Sequence, residues 1–512
     1  MKQSVGKVYL VGAGPGDPGL MTMKGWRLIR EADVIVYDHL VNDRLLDAVR
    51  EKTTLINVGK QVGKKILEQQ GINRLLIREA QRGKVVIRLK GGDPFIFGRG
   101  GEESQALADK DIPFEVVPGI TSAIAAPAYA GIPLTHRGVA SSVAIVTGHE
   151  DPAKEVTAVN FKKIAQSVDT IVCLMGVGKM EIILDRIRKG GKAPETPAAI
   201  VERGTYPHQK VVEGTLKDIL AKARKAGVRP PAVIVVGEVA QLRTTLAWFE
   251  SLPLAGKTVV VTRAKEQAGP FINSLEQAGA RVIAFPTIEI AMPKGFRAVD
   301  RALGTIKEYD YIVFTSVNGV TAFLAHLHRL RKDIRSLDGS AIAALGEVTA
   351  QALREHLLFP EIVPATFTSR HLADAFKREG LTGKKVLLFR SEIANDILPR
   401  QLCGMGAQVT EVSGYTIRKP RRVPTAKVKQ LFKNGEIDLI TFTSPSTFSN
   451  FVSLMGGEPV KQLLKRTRVA AIGPVTKKEI VQHGVRVAVT AARHTVPHLL
   501  EDIIAYYRSK KR

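Results

Sequence analysis

At 512 residues the chain is too long for one hydrophobic core, and two to four domains are expected. Hydrophobic residues at 45 % and charged residues at 24 % exclude a disordered or membrane-embedded chain, and two cysteines, Cys173 and Cys403, exclude a disulfide framework or a cysteine zinc site. A net charge of +26 admits nucleic acid, a polyanionic small substrate or a plain solubility bias, but with scattered charges and 6 % aromatics it does not establish nucleic acid as the partner.

The amino terminus shows no apolar signal segment, and no apolar run reaches transmembrane length, so the cytoplasm is the expected location. From residue 7 to about 250, short apolar runs alternate with helix-period segments. The pattern predicts strands at 7–11, 34–37, 55–58, 85–89, 114–117, 143–146, 171–175, 198–201 and 233–236. Helices are predicted between them, among others at 22–32, 72–82 and 180–189. This alternation predicts α/β architecture, in two lobes with a cleft.

The first strand runs into VGAGPGDPG, Val11 to Gly19. Its spacing is G-x-G-x-G, not the G-x-G-x-x-G of a dinucleotide fingerprint, and Pro15 removes an N–H where a phosphate cradle needs one. Asp38, closing the next strand, sits where a ribose-binding acid would, or where an Asp would cap the following helix. The fourth strand leads into VVIRLKGGDPFIFGRGGEE, Val85 to Glu103. Its five glycines let the backbone bend close to a flat or bulky ligand. Arg88, Lys90 and Arg99 are expected to surround the turn with positive charge, and a helix is expected after Gly100-Gly101, with Glu102 and Glu103 at its positive end.

These strings, with YDHLVNDRLL, NVGKQVGKK, PGITSAIAAPAYAGIPLTHRG, VTGHE, CLMGVGKM and VERGT, resemble the tetrapyrrole methylase family to about residue 245. Within it they are most similar to the uroporphyrinogen-III C-methyltransferases. The resemblance implies S-adenosylmethionine as methyl donor, bound in a folded pose without phosphate recognition, and no metal. It implies that Pro15, Gly91, Gly92, Asp93, Ile96, Thr121, Ser122, Met175 and Gly204 line the cofactor site. It implies Asp38 as proton acceptor and Lys60 as proton donor. Taken alone, Lys60 reads as a surface lysine, Met175 as core filling and His149 as a turn residue. Gln61, where an arginine is usual, and VGKKILEQQG, Val62 to Gly71, depart from the family pattern. The family is commonly dimeric, which implies a homodimer through this half. The chemistry suits the residue types. A sulfonium donor needs alignment rather than a nucleophile, and a carboxylate can stabilise the cationic pyrrole or take its proton.

Pro253 and Gly256 frame a linker, placing domains at 1–250 and 256–506. The second half repeats itself. KTVVVTRAKEQAGPFINSLEQAGARV at 257 echoes KKVLLFRSEIANDILPRQLCGMGAQV at 384, IVFTSVNGVTAFL at 312 echoes ITFTSPSTFSNFV at 440, and IAALGEVTAQAL at 342 echoes VAAIGPVTKKEI at 469. Offsets this uniform mean duplication, and a period this long means two similar α/β lobes, not a solenoid. FPTIEI and VSGYTI occupy equivalent places and read as the strands passing between lobes.

This half resembles the uroporphyrinogen-III synthase family, which implies two α/β lobes joined by a two-stranded hinge. Lobe 1 would combine about 256–288 with about 416–506, and lobe 2 would span about 289–415. The implied substrate is hydroxymethylbilane, closed with inversion of its last ring through a spiro intermediate and without a cofactor. The matching tyrosine is Tyr415, either a proton donor to the departing hydroxyl or a packing residue of the hinge strand. Arg263, Ser316, Arg390, Ser444 and Thr476 sit at strand ends and turns, where open α/β sheets bind ligands and where helix caps also fall.

Together the resemblances imply uroporphyrinogen III made by the second half and methylated twice by the first to precorrin-2, for sirohaem or cobalamin-type rings. The substrates are tetrapyrrole polycarboxylates, which gives the excess of Lys and Arg a partner. No nucleic acid or membrane is expected to bind. A separate dehydrogenase and chelatase is expected, because the chain opens directly on the methylase. The alternatives are a methylase of another corrin intermediate or of RNA, and a basic RNA-binding protein without catalysis.

Overall fold

A computed structural model describes residues 5–47, 49–59, 68–148, 159–366, 368–392, 394, 396–420, 423–456 and 459–511. It divides into two compact units, Met1–Lys257 with Leu275–Arg281 and Tyr507–Arg512, and Thr258–Ser274 with Val282–Tyr506.

The first unit opens with β1 (Lys7–Gly12), β2 (Val34–Tyr37), β3 (Thr54–Asn57), β4 (Val85–Lys90) and β5 (Phe114–Val117), hydrogen-bonded in the order β3-β2-β4-β1-β5. Every pairing is parallel. Strands buried on both faces read as apolar runs, as β2 does; the edge strands β3 and β5 are partly exposed, and β4 carries the buried Arg88 and Lys90. Alternate residues then divide between two cores. Val8, Leu10, Val34, Val36 and Val86 face Ile72, Leu76 and Leu107, while Val11, Ile35, Ile87 and Leu89 face Leu28, Ile29 and Leu45.

The unit's second sheet comprises β6 (Val143–Thr147), β7 (Thr170–Leu174), β8 (Pro197–Glu202), β9 (Lys210–Thr215) and β10 (Ala232–Val236), in the order β6-β7-β10-β8-β9. Only β6 and β7 pair in parallel; β10 runs antiparallel to β7 and β8, and β9 antiparallel to β8. Strand–helix alternation did not predict β9. Its sequence, KVVEGT, is a partly exposed edge strand carrying Lys, Glu and Gly, so it lacks the apolar run that marked the others. The alanine-rich helix Ser122–Tyr129 leaves the first sheet through β5 yet packs on the second, with Ala123 and Ala126 against Val172, Val201 and Val235.

The second unit holds β11 (Thr258–Val261), β12 (Arg281–Ala284), β13 (Glu289–Ala291), β14 (Tyr311–Phe314), β15 (Ala341–Ala344), β16 (Lys385–Ser391), β17 (Gln408–Arg418), β18 (Leu439–Phe442), β19 (Arg468–Ala471) and β20 (Val489–Thr490). They form two five-stranded sheets, β12-β11-β18-β19-β20 and β13-β17-β16-β14-β15. One sheet therefore draws on both ends of this half and the other on its middle. FPTIEI and VSGYTI meet as antiparallel β13 and β17, with Ile290 opposite Ile417. Among the described residues, no helix is long and apolar enough to cross a membrane.

Candidate functional site

The carboxyl ends of β1, β4 and β5 meet in a seam of backbone. A Cβ on Gly12 would lie 2.5 Å from Gly119 Cα and 2.6 Å from Gly92 O, so neither strand end accepts a side chain there. Gly14 and Gly92 exchange two hydrogen bonds, of 3.2 and 2.7 Å, and Gly92 holds φ at +67°. Asp93 ties the turn together. One carboxylate oxygen accepts from Phe95 N and Ile96 N, and the other accepts from Gly119 N at 2.9 Å. Ile96 is exposed between exposed Phe95 and Phe97. Thr121 caps the helix that begins at Ser122, and the Cβ position of Gly92 lies 3.7 Å from Thr121 Cα and 3.9 Å from Ser122 N. Gly91 abuts Leu40, two residues after Asp38. Pro15 sits half-buried between Gly14 and Gly16.

The loop after β8 of the second sheet meets the loop after β1, where Gly16 abuts Tyr206. Asp17 N donates to Thr205 Oγ1 at 3.1 Å, and Tyr129 donates its hydroxyl to Asp17 Oδ2 at 2.7 Å. Burial, with the Asp17 carboxylate beside it, pushes the Tyr129 phenol up from its ordinary pKa. Gly204 lies so close to this helix that a Cβ would come 2.3 Å from Ala126 Cβ. Met175 is not core filling: it follows β7, is 50 % exposed and has φ +55°. Phe97, Arg99, Arg203 and Thr205 also have positive φ, so five of the eight such described non-glycine residues lie in these loops. Each costs about 1–3 kcal/mol, and such strain gathers where a loop is shaped for a ligand.

The positive charge expected around the turn is largely cancelled. Arg88 and Lys90 are buried, and Glu103, fully buried in the first turn of helix Gly100–Ala108, accepts from both, at 3.0 Å from Arg88 Nε and 2.9 Å from Lys90 Nζ. Burial first, then the neighbouring Arg88, lowers the Lys90 pKa from its ordinary value. That helix starts at Gly100, so both glycines lie inside it. Arg88 Nη2 also donates to Asp38 Oδ1 at 2.6 Å, leaving the Asp38 side chain 32 % exposed. Asp38 caps no helix; Asn42 caps the one that follows. Lys60, Gln61, most of VGKKILEQQG and His149 lie outside the described residues. Periodicity missed Glu103 as a buried counterion and the Asp17–Thr205–Tyr129 tie. A carboxylate three residues into a helix looks like an ordinary dipole partner.

In the second unit Tyr415 lies on β17, 4 % exposed, with its hydroxyl 2.8 Å from Ser316 Oγ. Ser316 caps helix Val317–Arg329 by accepting from Gly319 N at 3.1 Å. Ser444 caps helix Pro445–Met455, Thr476 is buried in helix Pro474–Gln482, and Arg390 pairs with Glu411. Arg263 differs: its Nε is buried with no hydrogen-bond partner among the described residues, and burial lowers its pKa. The structure thus brings Tyr415 and Ser316 together and leaves Ser444, Thr476 and Arg390 in ordinary structural roles.

The family model of the tetrapyrrole (corrin/porphyrin) methylases matches residues 7–220, and that of uroporphyrinogen-III synthase HemD matches residues 270–501. The chain is 37 % identical over 499 residues to the porphyrin biosynthesis protein HemD of Ruminiclostridium josui, covering 98 % of each. It is 51 % identical over 246 residues to the S-adenosyl-L-methionine-dependent uroporphyrinogen III methyltransferase of Methanosarcina barkeri, covering 48 % of this chain and 96 % of that one. A solved uroporphyrin-III C-methyltransferase from Thermus thermophilus, complexed with S-adenyl homocysteine, is 42 % identical with TM-score 0.41, over 46 % of this chain and 100 % of that one.

Proposed function

The chain belongs to the tetrapyrrole methylases through its first half and to the uroporphyrinogen-III synthases through its second, and we propose that it runs both reactions in sequence. The second half closes hydroxymethylbilane to uroporphyrinogen III with inversion of its last ring and needs no cofactor. The first half transfers two methyl groups from S-adenosylmethionine to C2 and C7, giving precorrin-2.

The observation that supports the methylase site most directly is the side-chain-free seam of Gly12, Gly92 and Gly119, with exposed Ile96 held on its turn by Asp93. Backbone carbonyls, a helix start at Thr121 and Ser122, and soft apolar side chains fit a sulfonium nucleoside. Pro15, Gly91, Gly92, Asp93, Ile96, Thr121, Ser122, Met175 and Gly204 would hold it. When bound, that donor supplies an electrophilic methyl group. Asp38, steered by Arg88, stabilises the cationic pyrrole or takes its proton, and Lys60 returns a proton. Such proton transfers contribute roughly 10²–10⁴-fold.

In the synthase half Ser316 already accepts from Gly319 N, which favours its hydroxyl as donor to the Tyr415 oxygen. The phenol proton is then left for the departing hydroxyl, which leaves as water. Arg263, whose buried Nε has no hydrogen-bond partner among the described residues, suits one substrate carboxylate. We place the protein in the cytoplasm as a homodimer through the methylase half.

The two activities are tested apart. Hydroxymethylbilane alone is expected to give the inverted ring isomer, and uroporphyrinogen III with S-adenosylmethionine a product heavier by two methyl groups. Only the non-inverted isomer, or binding of RNA at physiological salt with no methyl transfer, overturns the reading.

A further inference from the structure

The position of Tyr415 depends on a defect in its own strand. β17 pairs with β16 in regular parallel register from Lys385 opposite Gln408 to Arg390 opposite Ser413. The register then slips, and Ser391 faces Tyr415, so Gly414 is an extra residue. The slip changes which side chains share a face. In unbroken alternation Val412 and Gly414 would point into the same core, whereas Val412, Tyr415 and Ile417 do so here. Without the bulge the phenol turns away from Ser316.

The bulge has two fixed ends. A Cβ on Gly414 would lie 1.9 Å from Cε1 of fully buried Phe389, so only glycine fits. The Gly414 carbonyl accepts from His326 Nε2 at 3.0 Å. His326 is fully buried on helix Val317–Arg329, the helix whose cap, Ser316, pairs with the Tyr415 hydroxyl. One rigid helix therefore holds both the phenol oxygen and the bulge that aims it. The edges of Phe296 and Phe389 enclose the imidazole, with ring centroids 5.6 and 6.0 Å away. Its Nδ1 has no partner among the described residues, and burial lowers its pKa, which suits a neutral ring with its proton on Nε2.

We propose that His326 is the positioning residue for Tyr415, its Nε2–H clamping the Gly414 bulge that directs the phenol to Ser316. The claim rests on the reading of Tyr415 as the proton donor in ring closure. Loss of the clamp displaces the phenol without touching substrate, so turnover falls and substrate affinity stays.

The test uses the full chain with hydroxymethylbilane as probe and methyl transfer on the same preparations as a check of integrity. H326L removes the donor, H326N retains polarity but falls short of the carbonyl, and H326Q restores a donor amide. H326L and H326N are expected to lower kcat about 10- to 100-fold with KM within about twofold, and H326Q to recover most of the rate. In a Y415F background H326L is expected to cost nothing further. Equal loss in both backgrounds, unchanged rates in H326L and H326N, or a KM effect alone overturns the clamp. An unchanged rate in Y415F overturns the reading of Tyr415 and the clamp with it.

Discussion

The two candidate sites are built from opposite materials. The candidate methylase site is made of main chain: Gly12, Gly92 and Gly119 meet without side chains, and the charge of the adjoining strand and helix is sequestered in Arg88, Lys90 and Glu103. The synthase site is made of side chains on rigid elements, Tyr415 on a strand and Ser316 on a helix cap, 99 residues apart in sequence. A site of main chain can tolerate only glycine at its close approaches and holds its shape by backbone strain. A site of side chains depends on register and on the packing beneath it.

That contrast predicts where each half breaks. The largest effect is expected from Gly12→Ala, whose Cβ meets backbone at 2.5 and 2.6 Å. Titration calorimetry should find no binding of S-adenosylmethionine, with ring closure intact; normal binding would mean the seam is not the cofactor site. Next, Asp38→Ala should cut methyl transfer roughly 100-fold, the scale of a lost proton acceptor. Donor affinity and ring closure should not change, and equal loss of both activities would contradict separable halves. Tyr415→Phe should slow ring closure about tenfold or more and spare methyl transfer. An unaltered rate would remove the tyrosine from the chemistry. The smallest effect on turnover is expected from Glu103→Gln, which leaves two buried cations short of a counterion. Removing one partner of a buried ion pair costs about 3–5 kcal/mol, to be read as a lower denaturation midpoint of the first unit. An unshifted midpoint would show that the network does not stabilise this unit.

The same contrast accounts for what could be read from sequence. Short, mostly apolar runs made β1, β2, β4 and β5 visible, while the polar edge strand β9 was not. The glycine turns of the first half were legible because close backbone approach restricts residue type. Met175 was not legible from pattern, since nothing in the type predicts a half-exposed residue at positive φ. Duplication disclosed the architecture of the second half, and the paired β13 and β17 lie in the segments marked as crossing strands. Its site was far less legible. Ser316 and Ser444 are equally ordinary helix caps and Thr476 lies inside a helix, and only the fold brings Ser316 to Tyr415. The Gly414 bulge left no sign beyond one glycine in a strand.

The central claim is that one chain closes a linear tetrapyrrole and methylates the ring it has made. Supplying the protein with hydroxymethylbilane and S-adenosylmethionine, and identifying the product by mass and absorbance, tests it directly. The account predicts a dimethylated macrocycle with the spectrum of precorrin-2, and unmethylated uroporphyrinogen III when the donor is withheld. A methylated product that forms only when uroporphyrinogen III is added ready-made, or an unmethylated ring in the presence of donor, would contradict it.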